Sequence, residues 1–556
     1  MFELSPLQRE RLGFKPEILP ELIDLLTADF EDAIQPKQEN KKSEEIKLHF
    51  PHLTHLADII LKKNELKKVA PLRVGVVLSG GQAAGGHNVI SGLFDALSEL
   101  NNESTLFGFL GGPLGIIKNS YCELTRDSLE LFRNQGGFDL LGSGRDKIET
   151  QEQFASSLQC VQTLKLDGLV IIGGDDSNTN ACHLAEFFLQ HSCHTKVVGV
   201  PKTIDGDLQS DIIEIPFGFD TACKVYSETI GNIARDALSA KKYYYFIKLM
   251  GRSASHITLE CALQVRPNLA LIGEEIFEKK MTLAQVVAEI SDLVAERAKQ
   301  GKNYGVILIP EGIIEFLVDI RALISELNSL LLSDGLHSKK LNEMKTKAEK
   351  LAHIESLLHA QAKLTFTLCP EEIQLQLIQD RDPHGNVQVA KIETERLLQS
   401  LVEEELKKRK ALGTYTGKFS AQPIFCGYEA RCALPSNFDA NYCYNLGRLA
   451  ALLIARKKTG YMAAVTNLAK PVHSWRACGA SLVQMMHCEE RSGKVKVVLK
   501  KALVDLAGSP FHKFSQKRQG WRLDDSYSQS GPIQFFGPSE VVDAPPQTLL
   551  LKSYVL

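Results

Sequence analysis

The sequence has no CxxC pair and no HExxH motif, and its twelve cysteines are scattered through 556 residues. Zinc-finger, thioredoxin-like and zincin chemistry therefore lack their usual support. Scattered cysteines in a long apolar-rich chain are expected to pack as small hydrophobes in a reducing compartment. An excess of either charge is also missing. The 64 Lys and Arg residues face 67 Asp and Glu, a formal net charge of -3. No global basic field marks a nucleic-acid partner. No run approaches the ~18 apolar residues of a spanning helix. The start, MFELSPLQRERLGF, has no basic segment followed by an apolar one, so no signal peptide is expected. A cytoplasmic protein with no membrane partner is expected. With 44% hydrophobic and 24% charged residues, the chain has ordinary globular composition, which excludes disordered and fibrous classes. Its length allows about three or four domains at roughly 150 residues each.

Residues 1–70 read as a polar, mostly helical extension punctuated by Pro16, Pro20, Pro36 and Pro51. The charged run from Lys37 to Lys47 reads as a solvated face. From Arg73 the pattern changes. RVGVVLSGG is a β-branched run ending in glycines, followed by a segment whose Val89, Ile90, Leu93, Phe94, Leu97 and Leu100 share a helical face. Further strands are expected at Asp167–Ile172, Lys196–Val200, Tyr243–Leu249 and Tyr304–Ile309, with a helix at Asn180–Leu189. Strands alternating with helices indicate βαβ units and parallel sheets. Residues 321–410 are charged and helical and read as an insertion. Mixed structure resumes near Gly413, and the last forty or so residues look irregular.

Five expected strands end in a polar or glycine-rich string: GGQAAGG (80–86), GGDDSN (173–178), PKTIDGDL (201–208), MGRSASH (250–256) and PEG (310–312). Ligands in open α/β sheets bind beyond the carboxyl ends of the strands. Together the strings predict one large polar site. Gly80, Gly81, Gly85 and Gly86 stand between a strand and a helix, where backbone amides approach an anion closely. A tight structural turn would use the same glycines. The spacing is neither a dinucleotide-binding fingerprint nor a Walker A loop. Gly174 repeats the glycine logic. Asp175 beside it is a candidate Mg²⁺ ligand, since Mg²⁺ takes one or two carboxylates and fills its shell with water and phosphate oxygens. Capping of the following helix is the alternative use of Asp175 or Asp176. Lys202, Thr203, Asp205 and Asp207 share one loop. In an extended segment Thr203, Asp205 and Asp207 would lie on one side, and a carboxylate there could accept a proton from an attacking hydroxyl. An Asp-Gly-Asp turn would explain Gly206 and Asp207 but not Lys202 or Asp205. Arg145, Lys242, Arg252 and Arg431 form a set of basic residues suited to phosphate esters, although each alone could be a surface ion pair.

The GGDDS, PKTID, MGR and PEG strings, in this order, together with GYEARCALPSNFD, resemble the long-form pyrophosphate-dependent 6-phosphofructokinases of some bacteria and of the plant catalytic subunit. The resemblance runs from about Arg73 to the C-terminus. It implies an α/β fold of two phosphofructokinase-type lobes with Rossmann-like parallel sheets flanked by helices, plus the helical extension and insertion. The implied boundaries are 1–70 for the extension and 71–240 for a pyrophosphate- and Mg-binding lobe completed by part of 430–556. Residues 241–320 with 411–430 would form a sugar-phosphate lobe, 321–410 the insertion and 431–556 a C-terminal segment. The implied reaction is reversible transfer of phosphate from pyrophosphate to fructose 6-phosphate, giving fructose 1,6-bisphosphate and phosphate, with Mg²⁺, in glycolysis and gluconeogenesis. Asp205 would accept the proton of the 1-hydroxyl and Asp175 would hold Mg²⁺. Lys202, Asp176 and Arg145 would serve the transfer, and Gly80, Gly81 and Gly174 would cradle pyrophosphate. Thr203, Ile204, Asp205, Asp207, Met250, Gly251, Arg252 and Glu311 would contact the sugar phosphate. Tyr428, Glu429, Ala430 and Arg431 would hold its 6-phosphate end. Lys242 and Tyr243 would reach into a neighbouring subunit's site, implying a homodimer with shared sites.

ATP-dependent relatives carry glycine where this chain has Asp176 and Lys202. A carboxylate where a nucleotide α-phosphate must run costs roughly 4 kcal/mol at about 4 Å and an effective dielectric of about 20. Asp176 is thus expected to exclude ATP and Lys202 to support transfer from pyrophosphate. Many relatives have proline at the Ala84 position, so a less rigid first loop is expected here. The competing readings are an ATP-dependent 6-phosphofructokinase and a non-catalytic regulatory subunit of the same fold. Asp176 and Lys202 argue against the first, and the intact Asp175, Lys202 and Asp205 set against the second. Lipid or NAD kinases share the GGDG-type loop but not the other strings.

Overall fold

Continuous apolar runs, rather than alternating ones, form the central strands of the computed structural model, which describes residues 4–33, 44–332, 336–379, 387–388, 391–491, 494–531 and 545–553. The strands are β1 (Ala28–Asp32), β2 (Ile59–Lys63), β3 (Arg73–Leu78), β4 (Thr105–Phe109), β5 (Tyr121–Leu124), β6 (Gly168–Gly173), β7 (Lys196–Pro201), β8 (Tyr244–Leu249), β9 (Leu269–Ala270), β10 (Gly305–Pro310), β11 (Ala421–Cys426), β12 (Tyr461–Thr466), β13 (Arg476–Ser481), β14 (Met486–Arg491) and β15 (Lys494–Leu499). Every residue of β6, β8 and β10 is buried. Burial on both faces is what parallel strands covered by helices require. The α/β class expected from the sequence is the class observed.

The chain divides into two units. The first comprises the described residues of Met1–Val225, Tyr428–Ala502 and Ile533–Ser553, and the second those of Tyr226–Gly427, Leu503–Pro532 and Tyr554–Leu556. The first unit contains a nine-stranded sheet of order β1-β2-β13-β12-β7-β6-β3-β4-β5, and the second a four-stranded sheet of order β11-β8-β10-β9. The run β12-β7-β6-β3-β4 is parallel, and so is the whole second sheet. Register decides where the polar strings emerge. In the first sheet Leu78 pairs with Ile172 and Gly173 with Pro201, so the strings after β3, β6 and β7 leave one edge side by side. In the second, Leu249 pairs with both Pro310 and Cys426, which aligns the exits of β8, β10 and β11. The five strings are therefore divided three and two between separate sheets.

Two helices of the first unit, Gly86–Leu100 and Asn437–Ala455, cross at paired glycines. A Cβ on Gly92 would collide with the Tyr444 carbonyl oxygen, and one on Gly447 with that of Val89. This contact holds the helix behind the first glycine loop against the helix that follows the YEAR turn.

The extension expected to be helical also contributes strands. β1 and β2 pair antiparallel, and β2 joins the large sheet through Ile59–Gly479 and Ile60–Cys478. Both strands are short and half polar, so their sequences carry little strand signal. The segment before them runs along the Asn437–Ala455 helix, where asparagines at i, i+4 and i+8 present their amides. Asn437 Oδ1 accepts from Arg11 Nη1 (2.6 Å), Asn441 Oδ1 from the Glu17 N–H (2.9 Å) and Asn445 Oδ1 from the Leu19 N–H (2.9 Å). Residues 34–43, which include part of the charged run, lie outside the described residues.

The insertion supplies the helices Val318–Leu332, Leu336–Glu343, Lys347–Leu357, Ala360–Leu368, Glu371–Gln379 and Thr394–Ala411. Leu323, Leu327, Phe366, Leu397 and Val402 join Tyr244, Phe246, Ile307 and Ile309 in one apolar core. A buried Lys248–Glu395 ion pair at 3.2 Å ties it further to β8. The C-terminal segment is split between the units at Ala502–Leu503. Its end is less irregular than the sequence suggests, because Ser509–Leu523 and Gln547–Ser553 are helices. All twelve cysteines are free thiols and only Cys432 is exposed. Among the described residues, no helix is long and apolar enough to cross a membrane.

Candidate active site

The first glycine loop begins as a turn in the left-handed region, with Gly80 at φ 85°. Its conformation is fixed by Gly80 N–H donating to the Gly144 carbonyl (2.8 Å) and by contact between the Ser79 and Ser177 hydroxyls (2.7 Å). Three cations gather on this loop. Lys202 Nζ donates to the Gly81 carbonyl at 2.6 Å. A Cβ on Gly81 would collide with Arg431 Nη1 and lie in ordinary contact, 3.6 Å, with Arg145 Nη2, so both guanidinium groups stand over this glycine. Arg431 lies over the Tyr428 ring (5.1 Å), and its buried Nε has no hydrogen-bond partner among the described residues. Burial, then the positive charge of Arg431, brings the Lys202 ammonium down from the usual lysine range to about 8, with Arg145 acting in the same direction. Like charges held this close in a buried setting favour an anion as a ligand.

The GGDDSN string is not a loop before a helix beginning near Asn180. Gly173 ends β6, Gly174 is the cap, and residues 175–178 form the first turn of the helix Asp175–Gln190. The reason is local. Asn178 turns its side-chain amide back to the Gly173 (2.6 Å) and Gly174 (3.0 Å) carbonyls, and acidic residues favour a helix N-terminus. Asp175 and Asp176 point to different neighbours. Asp176 is exposed and pairs with Lys147 at 3.2 Å. Asp175 faces Lys501 at 3.2 Å, which also lies 3.9 Å from Asp207. Burial raises the Asp175 pKa, but Lys501 and the N–H of Asp176 more than offset this, so its carboxyl lies below the usual carboxylate range.

PKTIDGDL does not run as an extended segment with alternating sides. The Asp205 N–H donates to Thr203 Oγ1 (3.0 Å) and Gly206 has φ 75°, so the loop turns. Asp205 remains partly exposed while Asp207 is buried. Burial, then the negative charge of Asp205, pushes Asp207 up to about 7. Ile204 is buried and supports the loop.

In the second unit the MGR and PEG strings are one structure. Gly251 N–H donates to Glu311 Oε2 (3.1 Å), and a Cβ on Gly312 would collide with the Arg252 carbonyl oxygen. Met250 and Glu311 are buried and Arg252 is exposed. Lys242 and Tyr243 lie at the opposite end of β8 from Met250, with Lys242 Nζ 5.2 Å over the Tyr243 ring. The strand separates them from the MGR loop of the same chain by about 20 Å at ~3.3 Å per residue. The YEAR turn, Tyr428–Arg431, belongs wholly to the first unit, whereas a boundary after residue 430 was expected. It follows the chain's exit from β11, and Arg431 is held over Gly81 of that unit. Tyr428 and Glu429 are exposed and Ala430 is buried.

The first unit thus brings together Gly80, Gly81, Arg145, Gly174, Asp175, Lys202, Asp205, Asp207 and Arg431. Lys501 and Lys147 were missed. Lys501 follows a β-hairpin in the string VVLKKALV, where nothing distinguishes it from Lys500. Among the described residues, no group of three or more His, Cys, Asp or Glu side chains is arranged to hold a metal by itself. The donors nevertheless fit Mg²⁺, which takes few carboxylates and fills its shell with phosphate oxygens and water. Asp175 is a carboxylate oxygen donor held below the usual carboxylate range, in the same unit as the cation-lined glycine loop.

Residues 73–454 match the family model described as Phosphofructokinase. The chain is 53% identical over 481 residues to pyrophosphate–fructose 6-phosphate 1-phosphotransferase of Treponema pallidum, covering 86% of this chain and 83% of that one. It is 48% identical over 552 residues to the protein of the same name from Porphyromonas gingivalis, covering 99% of each. The solved structure of the pyrophosphate-dependent phosphofructokinase from Marinobacter aquaeolei, 16% identical, aligns over 87% of this chain and 97% of that one with a TM-score of 0.52, a likeness of fold alone. The chain belongs to the phosphofructokinase family.

Proposed function

We propose that this chain transfers a phosphoryl group from pyrophosphate to the 1-hydroxyl of fructose 6-phosphate, reversibly, giving fructose 1,6-bisphosphate and phosphate. The observation that carries this reading is the convergence of Lys202, Arg145 and Arg431 on the Gly80–Gly81 loop. The high identity to relatives named for this reaction supports it. Pyrophosphate takes the glycine side. Lys202, Arg145 and Arg431, which lies against Gly81 rather than at the far end of the sugar, offset the charge that accumulates on the bridging and terminal oxygens, and Tyr428, Glu429 and Ala430 are left to the 6-phosphate end.

The sugar hydroxyl attacks the terminal phosphorus in line. The new P–O bond forms as the P–O–P bridge breaks, the hydroxyl proton passes to Asp205, and phosphate leaves. Thr203 holds the Asp205 backbone, and buried Asp207 and Ile204 fix the loop. Met250, Gly251, Arg252 and Glu311 are the second unit's own candidates for binding a sugar phosphate. Asp175 would hold Mg²⁺, which would supply charge neutralisation on the transferring phosphoryl group. Lys242 and Tyr243 serve the site of a second subunit in a homodimer, and the enzyme is cytoplasmic.

Replacing the proton acceptor tests this assignment. Asp205→Ser should lower turnover by about 10²–10⁴-fold while fructose 6-phosphate still binds, measured by steady-state kinetics and calorimetry. Near-normal turnover would remove Asp205 from the role.

A further inference from the structure

The carboxylate side of the site carries a lysine that the proposed mechanism leaves unused. Lys501 Nζ lies 3.2 Å from Asp175 and 3.9 Å from Asp207. Its backbone is tied to the same two elements. The Leu499 N–H donates to Thr179 Oγ1 (3.0 Å), one helical turn after Asp175, and the Ala502 N–H donates to the Asp207 carbonyl (2.7 Å). The end of the β14–β15 hairpin arm therefore delivers one ammonium group between two acidic elements.

This cation differs in kind from the three on the glycine loop. Lys202, Arg145 and Arg431 lie on the Gly80–Gly81 backbone, whereas Lys501 is paired directly with carboxylates. A divalent cation on Asp175 would stand within a few ångströms of the ammonium. At that range two like charges oppose each other strongly even in a polar setting. The positive end of the Asp175–Gln190 helix acts in the same sense. Pyrophosphate brings enough negative charge to offset both.

We propose that Lys501 is a positioning residue that reserves Asp175 for a metal ion arriving with pyrophosphate: it holds the carboxylate in place and opposes a bare divalent cation. The inference rests on the assignment of Asp175 to the metal and of pyrophosphate to the glycine side.

Mn²⁺ binding to the full-length protein, followed by electron paramagnetic resonance with and without pyrophosphate, tests it. Lys501→Met removes the charge and keeps most of the stem. Mn²⁺ alone should bind Lys501→Met at least about tenfold more tightly than the unmodified protein. The KM for pyrophosphate should rise about tenfold with a smaller change in kcat, because an attraction for the anion is lost. Lys501→Arg should restore both values. Mn²⁺ affinity that is unchanged or weaker in a folded Lys501→Met, judged by circular dichroism, would overturn the inference; Lys501→Gln provides the same comparison if the methionine variant does not fold. Asp175→Asn separates the two levels. Loss of Mn²⁺ binding in Asp175→Asn with no gain in Lys501→Met sinks this inference and leaves the metal assignment standing. Retained binding in Asp175→Asn sinks the metal assignment itself.

Discussion

Lys202 is held between opposing neighbours. Asp205 and Asp175 favour its charge, while burial, Arg431 and Arg145 disfavour it, and the balance leaves it at about 8. The proposed transfer needs the ammonium, so kcat/KM for pyrophosphate should fall as pH rises through about 8. Lys202→Arg should move that limb upward, because the guanidinium stays charged. Stability moves the other way. Between about 8 and the ordinary lysine value the unfolded chain binds more protons than the folded one, so this group makes folding more favourable as pH rises across that window. A pH profile of activity set beside one of unfolding distinguishes a site lysine from a merely structural one. Asp176 supplies a second test at this scale. Its pairing with Lys147 at 3.2 Å shares out its charge but leaves the carboxylate exposed at the helix start. Asp176→Gly should raise kcat/KM for ATP by more than about tenfold, part of the ~4 kcal/mol that two close like charges cost. ATP use as poor as before would refute the exclusion role. Most of these residues were legible in the sequence because glycines and charges are contiguous at strand ends. Lys501 and Lys147 were not, since their roles depend on contacts made across the fold.

Among the elements, strands buried on both faces were legible because β-branched runs such as RVGVVL and GLVIIG have no polar alternation to confuse them. The start of the helix at Asp175 was missed. Two adjacent acids after two glycines look like a loop until the Asn178 side chain is seen closing back on Gly173 and Gly174. β1 and β2 were missed because ADFED and IILKK take their strand character from pairing with each other and with β13. The crossing at Gly92 and Gly447 gives a prediction at this scale. Gly447→Ala gains roughly 1 kcal/mol in helix propensity but drives a methyl group into the Val89 carbonyl oxygen. Overpacking of this kind costs about 1–3 kcal/mol, and more where backbone must move. The midpoint of thermal unfolding should therefore fall. A rise would mean that the two helices tolerate separation.

In the whole molecule, the three or four domains allowed by length reduce to two units, because the insertion shares its apolar core with β8 and β10. A helical pattern alone could not show that sharing. The near-zero net charge likewise conceals local clusters, positive on the glycine loop and mixed around Asp175. Lys242 and Tyr243 lie at the far end of β8 from Met250, and the role proposed for them is in the site of a second subunit. If so, inactive Asp205→Ser and inactive Lys242→Ala/Tyr243→Ala proteins, mixed and allowed to exchange subunits, should recover roughly a quarter of full activity, since half the dimers would carry one intact site. No recovery despite exchange would place both residues outside a shared site. The central claim concerns the donor. The most direct measurement is formation of fructose 1,6-bisphosphate by the pure protein with Mg²⁺, first with pyrophosphate and then with ATP as sole donor. Turnover with pyrophosphate and little or none with ATP is the expected result; turnover with ATP alone would contradict the account.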